Sequence, residues 1–383
     1  MPPTVDSIPP GSTVLVTGAN GLLGSNITEE FLAAGYHVIG TVRSATRCAW
    51  LPAFFSSRTT TSTTTTPRGR FTLHELPDLE SEPAYAALLA AHSSISAICL
   101  TTSVLDPSQT DPRAVIPAAV RCVLPPLRAA AKAEAGSASA PSVKKVVLTG
   151  SAFGAWTPRA GGAGGAAAPR RLTAASYNEE AVAAAWDEGW DEGGKGDAVA
   201  RGAAVLMAAF VEKERAAWRF VEEEEEARLG FGVDVVLVGT VLGRVLRVEE
   251  QGWPSTVGFL AGVWEGGEAA RAARAFVKPQ FFVDAVDCAR VHVVAAVRGD
   301  VVGERVYAFG ERFSWNGVLR ILKRRYPQRT FDDEDEGEGE FLVEAPNERG
   351  AGLLRDMGQS GWTILEDSVV KTVETAKLLS SSS

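Results

Sequence analysis

The chain has 383 residues, 45% of them hydrophobic and 22% charged, enough apolar material for one large α/β domain or for one with a smaller appendage. Its formal net charge of −9 argues against a nucleic-acid or polyanion partner, though it leaves room for a local basic pocket. Four cysteines (Cys48, Cys99, Cys122, Cys288) without CxxC spacing, and four histidines (His37, His74, His92, His292) without an HxxxH or HExxH cluster, predict no metal and no disulfide framework.

Taken in chain order, the N-terminus shows no basic region followed by an apolar run, so no signal peptide is expected. The first strand, Thr13–Thr17, runs directly into Gly18, Gly21 and Gly24, and a helix pattern (Ser25–Ala34) follows at once. Such an order suits a dinucleotide pyrophosphate. Gly18 allows a tight turn, Gly21 lets backbone approach the phosphates, and Gly24 lets the helix pack close to the strand. The helix N-terminus would then aim N–H groups and a partial positive charge at the anion. Asn20, Leu22 and Leu23 complete that candidate cofactor loop.

The second strand, Tyr36–Val42, ends in Arg43-Ser44, with Arg47 close behind. NAD-preferring sites usually place a carboxylate here to hold both ribose hydroxyls, whereas a guanidinium forks onto a phosphate. NADP(H) is therefore the expected cofactor. Strands at Phe71–Glu75, Ala97–Thr101, Val146–Thr149 and Val233–Val238 follow, with helices at Pro83–His92, Pro117–Ala135 and Val199–Glu226 between them. Asp78, in Leu76-Pro77-Asp78-Leu79 after the third strand, could accept from an adenine amino group. The alternation predicts an α/β fold, a Rossmann-type doubly wound parallel sheet, with a smaller C-terminal α+β substrate-binding region. Residues 1–250 would form the dinucleotide-binding domain, and 251–383 mainly the substrate region, with some segments returning to the Rossmann core. Ser/Thr-rich Ser56–Thr66 and Gly/Ala-rich Gly161–Ala168 read as flexible insertions near 56–70 and 157–172, and the acidic run Asp332–Glu340 reads as a third loop. The Glu222–Glu226 run reads as the solvated end of a helix. The longest apolar stretch, Phe231–Leu246, contains Asp234 and Arg244 and reads as a buried strand with its exit loop. A cytoplasmic protein, without membrane association, is expected. Segments such as Gln280–Val283 and Arg305–Phe309 read as isolated strand-like pieces in a region that closes over the strand ends.

Several motifs together carry a family resemblance. They are Thr17-Gly18-Ala19-Asn20-Gly21-Leu22-Leu23-Gly24, Gly40-Thr41-Val42-Arg43-Ser44, Val143-Lys144-Lys145-Val146-Val147-Leu148-Thr149-Gly150-Ser151, Glu214-Arg215-Ala216-Ala217-Trp218 and Phe282-Val283-Asp284-Ala285-Val286-Asp287-Cys288-Ala289-Arg290-Val291-His292. In that order they resemble the extended short-chain dehydrogenase/reductases, in the NAD-dependent epimerase/dehydratase branch. Fungal methylglyoxal/aldehyde reductases and plant dihydroflavonol and cinnamoyl-CoA reductases are the most similar groups. The resemblance implies a Ser–Tyr–Lys set: Ser bonds the substrate carbonyl, Tyr gives the proton, and Lys lowers the phenol's pKa from near 10. Ser151 matches the Ser. Counting back from Glu214, however, Leu206 stands where the Tyr should be and Phe210 where the Lys should be.

Other departures cluster at the same end. Leu100-Thr101-Thr102-Ser103-Val104 replaces the family's His/Thr-Ala-Ser-Pro, Pro125 stands for a usual Asn, and Leu237-Val238-Gly239 for Asn-Pro-Gly. Thr101 and Thr102 remain candidate cofactor residues, and Tyr177-Asn178 resembles the substrate-side Trp-Asn. Asp187, Glu188, Lys195 and Lys213 are the charged residues from which a shifted acid could come. Two functions stay open. One is an NADPH-dependent ketone or aldehyde reductase with an atypical active site, with secondary metabolism as a candidate setting. The other is a catalytically degenerate NADP(H)-binding protein, or a non-redox cyclase, lyase or partner role on the same fold. A nucleotide-sugar epimerase ranks below both, because Arg43 conflicts with NAD preference.

Overall fold

In chain order the strands are β1 (Thr13–Thr17), β2 (His37–Val42), β3 (Phe71–Glu75), β4 (Ile95–Leu100), β5 (Lys145–Thr149), β6 (Arg170–Arg171), β7 (Gly232–Val238), β8 (Thr240–Leu242), β9 (Gln280–Asp284), β10 (Arg305–Ala308), β11 (Arg312–Phe313) and β12 (Val343–Glu344). The helices are α1 (Leu22–Ala33), α2 (Trp50–Ser57), α3 (Glu82–Ala91), α4 (Pro112–Arg121), α5 (Leu124–Ala135), α6 (Glu179–Ala185), α7 (Ala198–Glu225), α8 (Val248–Gln251), α9 (Val257–Glu265), α10 (Gly267–Phe276), α11 (Ala285–Val297), α12 (Trp315–Arg325), α13 (Glu348–Asp356) and α14 (Leu365–Ser380). The computed structural model describes residues 6–58, 67–102, 108–135, 143–158, 170–187, 189, 198–225, 229–338 and 343–380. Most of the Ser56–Thr66 stretch, all of Gly161–Ala168, and Ser103, Val104, Glu188 and Lys195 lie outside those residues, as do the ends of the Asp332–Glu340 and Glu222–Glu226 runs.

Seven strands form one parallel sheet in the order β10-β7-β5-β4-β1-β2-β3. Its order reverses between β1 and β4, which opens a crevice at the carboxyl ends of the strands. Alternation in the strands divides the core. Val14, Val16, Val38, Val147 and Val236 face one layer, with α1, α11 and α13. Leu15, Ile39, Ile98, Val146, Leu148 and Val235 face the other, with α3, α5 and α7. The β-branched strands are thus buried on both faces, as a parallel sheet requires. A second core of Leu242, Leu260, Phe282, Trp315 and Leu319 holds β8, β9 and β11 against α9, α10, α12 and α14.

Three expectations need correction. The single helix expected at Pro117–Ala135 is two helices. It begins earlier, where the Asp111 carboxylate caps the Arg113 N–H and Pro112 occupies the first turn, and it breaks at Cys122–Val123 ahead of Pro125. The stretch after Val238 is not a plain exit loop, because Thr240–Leu242 starts the second sheet beside β9. Arg305–Phe309 is not isolated either: β10 pairs with β7 as the edge of the main sheet. Within the described residues, the 22-residue stretch Pro112–Ala133 is apolar and long enough to cross a membrane by length and composition, yet 56% of its most apolar window is buried in this fold.

Candidate functional site

A cavity of about 610 Å³ opens at the carboxyl ends of β1, β2 and β4. Gly18, Asn20, Gly21, Leu22, Leu23 and Gly24 form one wall, Thr41, Val42 and Arg43 a second, and Thr101 and Thr102 a third; Leu79, Pro254 and Ser255 complete the lining. Gly18 has φ +65°, where a side chain is strained, and a Cβ there would sit 2.6 Å from Thr102 Cγ2. A Cβ on Gly24 would lie far inside contact distance of the Gly18 carbonyl oxygen, so α1 can approach β1 this closely only with glycine at that turn. Helix α1 starts at Gly21 with no side-chain cap and no acidic residue in its first turn. Its first N–H groups therefore remain available to an anion in the cavity.

Hydroxyls join the strand ends. The Thr101 N–H donates to Thr17 Oγ1 at 3.0 Å, the Thr101 hydroxyl donates to the Thr17 carbonyl, and Thr17 Oγ1 lies 3.3 Å from Thr102 Oγ1. Arg43 is exposed at the cavity rim, and among the described residues neither its guanidinium nor that of Arg47 is in an ion pair. The turn that carries both is fixed by the Glu75 carboxylate, which accepts the Ala45 N–H at 2.6 Å. Arg47 and Asp78 lie outside the lining. Asp78 is exposed and its Oδ1 accepts the Glu80 N–H at 2.9 Å, so part of its capacity goes to its own turn. Thr17, Thr41 and Val42, read from the sequence only as parts of motifs, and Pro254 and Ser255, not read at all, were not named there as site residues; their roles come from elements that meet only after folding.

Ser151 follows β5, next along the sheet from β4. It is half-buried, and its Oγ accepts the Phe153 N–H at 3.2 Å, capping a short 3-10 turn (Ala152–Gly154). That contact uses an oxygen lone pair and leaves the hydroxyl proton able to donate. Leu206 and Phe210 lie four residues apart on one face of α7, both half-buried. The Phe210 ring meets Phe153 at 6.5 Å between centroids. Phe210 thus packs against the turn that follows Ser151, at a position where the resemblance implied an ammonium.

Lys213, one turn further along α7, is buried and donates from Nζ to the Thr149 carbonyl at 3.1 Å. Its ammonium lies 5.3 Å from the centroid of the Phe210 ring. Burial pushes its pKa down to about 8. From the other layer, His292 Nε2 lies 2.9 Å from Thr149 Oγ1, and His292 Nδ1 lies 2.8 Å from the Cys288 carbonyl. Burial pushes the His292 pKa down to about 4, so the ring is neutral. A carbonyl only accepts, so Nδ1 carries the proton and Nε2 accepts from the Thr149 hydroxyl. Thr149 is therefore held from both helical layers, two residues before Ser151.

Tyr177 is engaged by two arginines. Its ring lies against Arg305 (4.2 Å) and Arg215 (4.8 Å), and burial together with Glu214 pushes its pKa up to about 12. Asn178 is buried and knits the turn together: its Nδ2 donates to the Phe153 carbonyl at 2.8 Å and its Oδ1 accepts from Thr157 Oγ1 at 3.0 Å. Asp187 is exposed, its Oδ1 accepting the Gly189 N–H at 2.9 Å. Pro125 sits in the first turn of α5.

The sequence has relatives that span it. The model of the NAD-dependent epimerase/dehydratase family matches residues 14–161. Aldehyde reductase 2 of Sporidiobolus salmonicolor is 30% identical over 96% of this chain and 98% of its own length. A ketoreductase of Penicillium rubens is 31% identical over 94% of this chain and 96% of its own. Among solved structures, yeast methylglyoxal/isovaleraldehyde reductase Gre2 complexed with NADPH superposes with a TM-score of 0.74 at 20% identity, covering 96% of this chain and 99% of that one. With a full-length relative at this identity and the matching fold, the chain belongs to the NAD-dependent epimerase/dehydratase family, within the extended short-chain dehydrogenase/reductases.

Proposed function

We propose that this protein is an NADPH-dependent reductase of ketones or aldehydes with an atypical active site. The observation that carries the reading is the cavity at the strand ends, where a glycine-built wall, an uncapped helix N-terminus and the Arg43 guanidinium converge. These residues fit the cofactor. Gly18–Gly24 and the first N–H groups of α1 suit a pyrophosphate, Arg43 with Arg47 behind it suits a 2′-phosphate, and Asp78 and Leu79 suit the adenine. Thr101 and Thr102 would line the path from there toward Ser151. The Sporidiobolus and Penicillium relatives are reductases of carbonyl compounds by name, and the yeast structure contains NADPH, which supports the same assignment here.

When bound, reduced nicotinamide supplies a hydride to the carbonyl carbon of the substrate. The protein's own residues must orient that carbonyl and manage the proton its oxygen then needs. Ser151 donates a hydrogen bond to the oxygen from the hydroxyl proton left over from its cap. Leu206 and Phe210 have no proton to give, and the Lys213 ammonium is engaged beneath them with the Thr149 carbonyl. Water, or a hydroxyl of the substrate itself, supplies the proton. Losing a positioned general acid costs about 10²–10⁴-fold in rate, not all of the catalysis.

The test is a titration of the purified protein with NADPH and NADH, followed by cofactor oxidation with a panel of aldehydes and ketones. Preferential NADPH binding and slow turnover are expected, with the rate raised by Leu206→Tyr plus Phe210→Lys. Tight NADPH binding with no turnover in either protein would overturn the reductase in favour of a non-redox role. Binding of neither cofactor would overturn the cavity assignment itself.

A further inference from the structure

The carbonyl side of the glycine loop is held by a second segment of the chain. Gln251, the last residue of α8, donates from Nε2 to the Asn20 carbonyl at 3.0 Å, the Gly21 carbonyl at 3.4 Å and Ser25 Oγ at 3.1 Å. Its Oε1 accepts the Arg247 N–H at 3.0 Å, which fixes the amide's orientation. Upstream, the Arg244 carbonyl accepts from Asn26 Nδ2 at 3.2 Å, a second stitch onto α1. Downstream, Gly252 turns the chain at φ +64°, and Pro254 and Ser255 enter the cavity wall. Ser255, at φ +57°, is the one non-glycine residue with positive φ among the described residues. Such a conformation is costly for a side-chain-bearing residue and persists only where neighbours enforce it.

We propose that Gln251 is a positioning residue, a latch that holds the Arg244–Ser255 strap against the back of the glycine loop and thereby sets the affinity and release rate of the cofactor. The proposal rests on the reading that the cavity takes NADPH. In a trans peptide the C=O and the following N–H point in opposite directions. The Gly21 carbonyl accepts the Ser25 N–H at 3.0 Å and the Gln251 amide at 3.4 Å, so the two together hold it from behind and aim the Leu22 N–H forward, out of the α1 N-terminus. The same side chain anchors the strap next to the two residues that reach the cavity. One amide thus ties two walls together, and separating them requires its hydrogen bonds to break. The adenosine end of the cavity, at Arg43, is carried by the turn that Glu75 fixes, and the Gln251 amide hydrogen-bonds to the glycine loop, Ser25 and Arg247, not to that turn.

The experiment compares the wild type with Gln251→Met, which keeps length and packing without a donor, and Gln251→Glu, which replaces the donor by a carboxylate. Equilibrium binding and stopped-flow dissociation are measured for NADPH, and equilibrium binding for adenosine 2′-monophosphate, a probe of the Arg43 end. NADPH dissociation is expected to quicken about tenfold in Gln251→Met, and further in Gln251→Glu, while adenosine 2′-monophosphate affinity stays unchanged. Thermal melting of the ligand-free variants checks that each is folded. Unchanged NADPH dissociation in a folded variant overturns the latch, as does an equal loss of both ligands, which marks a merely structural role. If the wild type binds no NADPH, the cavity assignment fails first and the latch with it, a result distinct from either of these.

Discussion

Lys213 is a buried ammonium that donates to the Thr149 carbonyl, and burial pulls its pKa from 10.5 to about 8. The unfolded chain holds that proton up to about pH 10.4, so between the two values the unfolded state binds more protons and Lys213 adds stability as pH rises. Buried Cys99 and Cys288, whose pKa values are raised by burial, act in the opposite direction over the same range. The informative quantity is therefore a difference. The stability of wild type relative to Lys213→Met is expected to climb from about pH 8 to pH 10.5 and to be flat below pH 7. Urea titrations across that range check it, and parallel curves would contradict it. At this scale the glycine loop was legible from the sequence, because Gly18, Gly21 and Gly24 act within seven residues of one another. The roles of Thr17 and Gln251 were not. Each matters through a partner on another element, such as Gln251 against Asn20, and no local pattern marks it.

A buried ion pair joins helix α7 to the edge of the sheet, besides their shared core and the Lys213 contact with Thr149. Arg305 of β10 grips Glu214 through Nε at 2.5 Å and a second nitrogen at 3.1 Å, with side chains only 5% and 1% exposed. The same guanidinium donates to the Ala174 and Ser176 carbonyls and covers Tyr177. Arg305→Met would strand a buried carboxylate and is expected to cost about 3–5 kcal/mol, read as a lowered urea midpoint. A loss under 1 kcal/mol would show that Glu214 finds water or a proton instead. The Glu214 motif was readable in the sequence and correctly placed α7, but its partner lies some ninety residues away and gave no signal. Helices α4 and α5 show a different limit. Their shared apolar pattern hid the break at Cys122–Val123, and the Asp111-Pro112 start was an N-terminal signal that went unused.

Across the whole molecule, the doubly wound parallel sheet followed from the alternation of β and α units, whereas the place of β10 at its edge did not. Residues Val291, Val293 and Leu353 share a core with Val14, Val38 and Ile27, so the parallel-sheet layer draws on both ends of the chain. A fragment of residues 1–250 lacks β10, α11 and α13 and is expected to be unfolded, while the full chain melts in a single transition. A cooperative melt of the fragment, seen by circular dichroism, would show that it folds alone. The same topology bears on synthesis. On a ribosome β7 emerges with one flank paired to β5 and the other bare, and its neighbour is not made until residue 305 has been added. For that interval an all-buried valine strand presents open N–H and C=O groups to any chain nearby. Slow translation or high expression should therefore drive this protein into inclusion bodies more readily than its mature surface would foretell, with holdase chaperones supplying the relief.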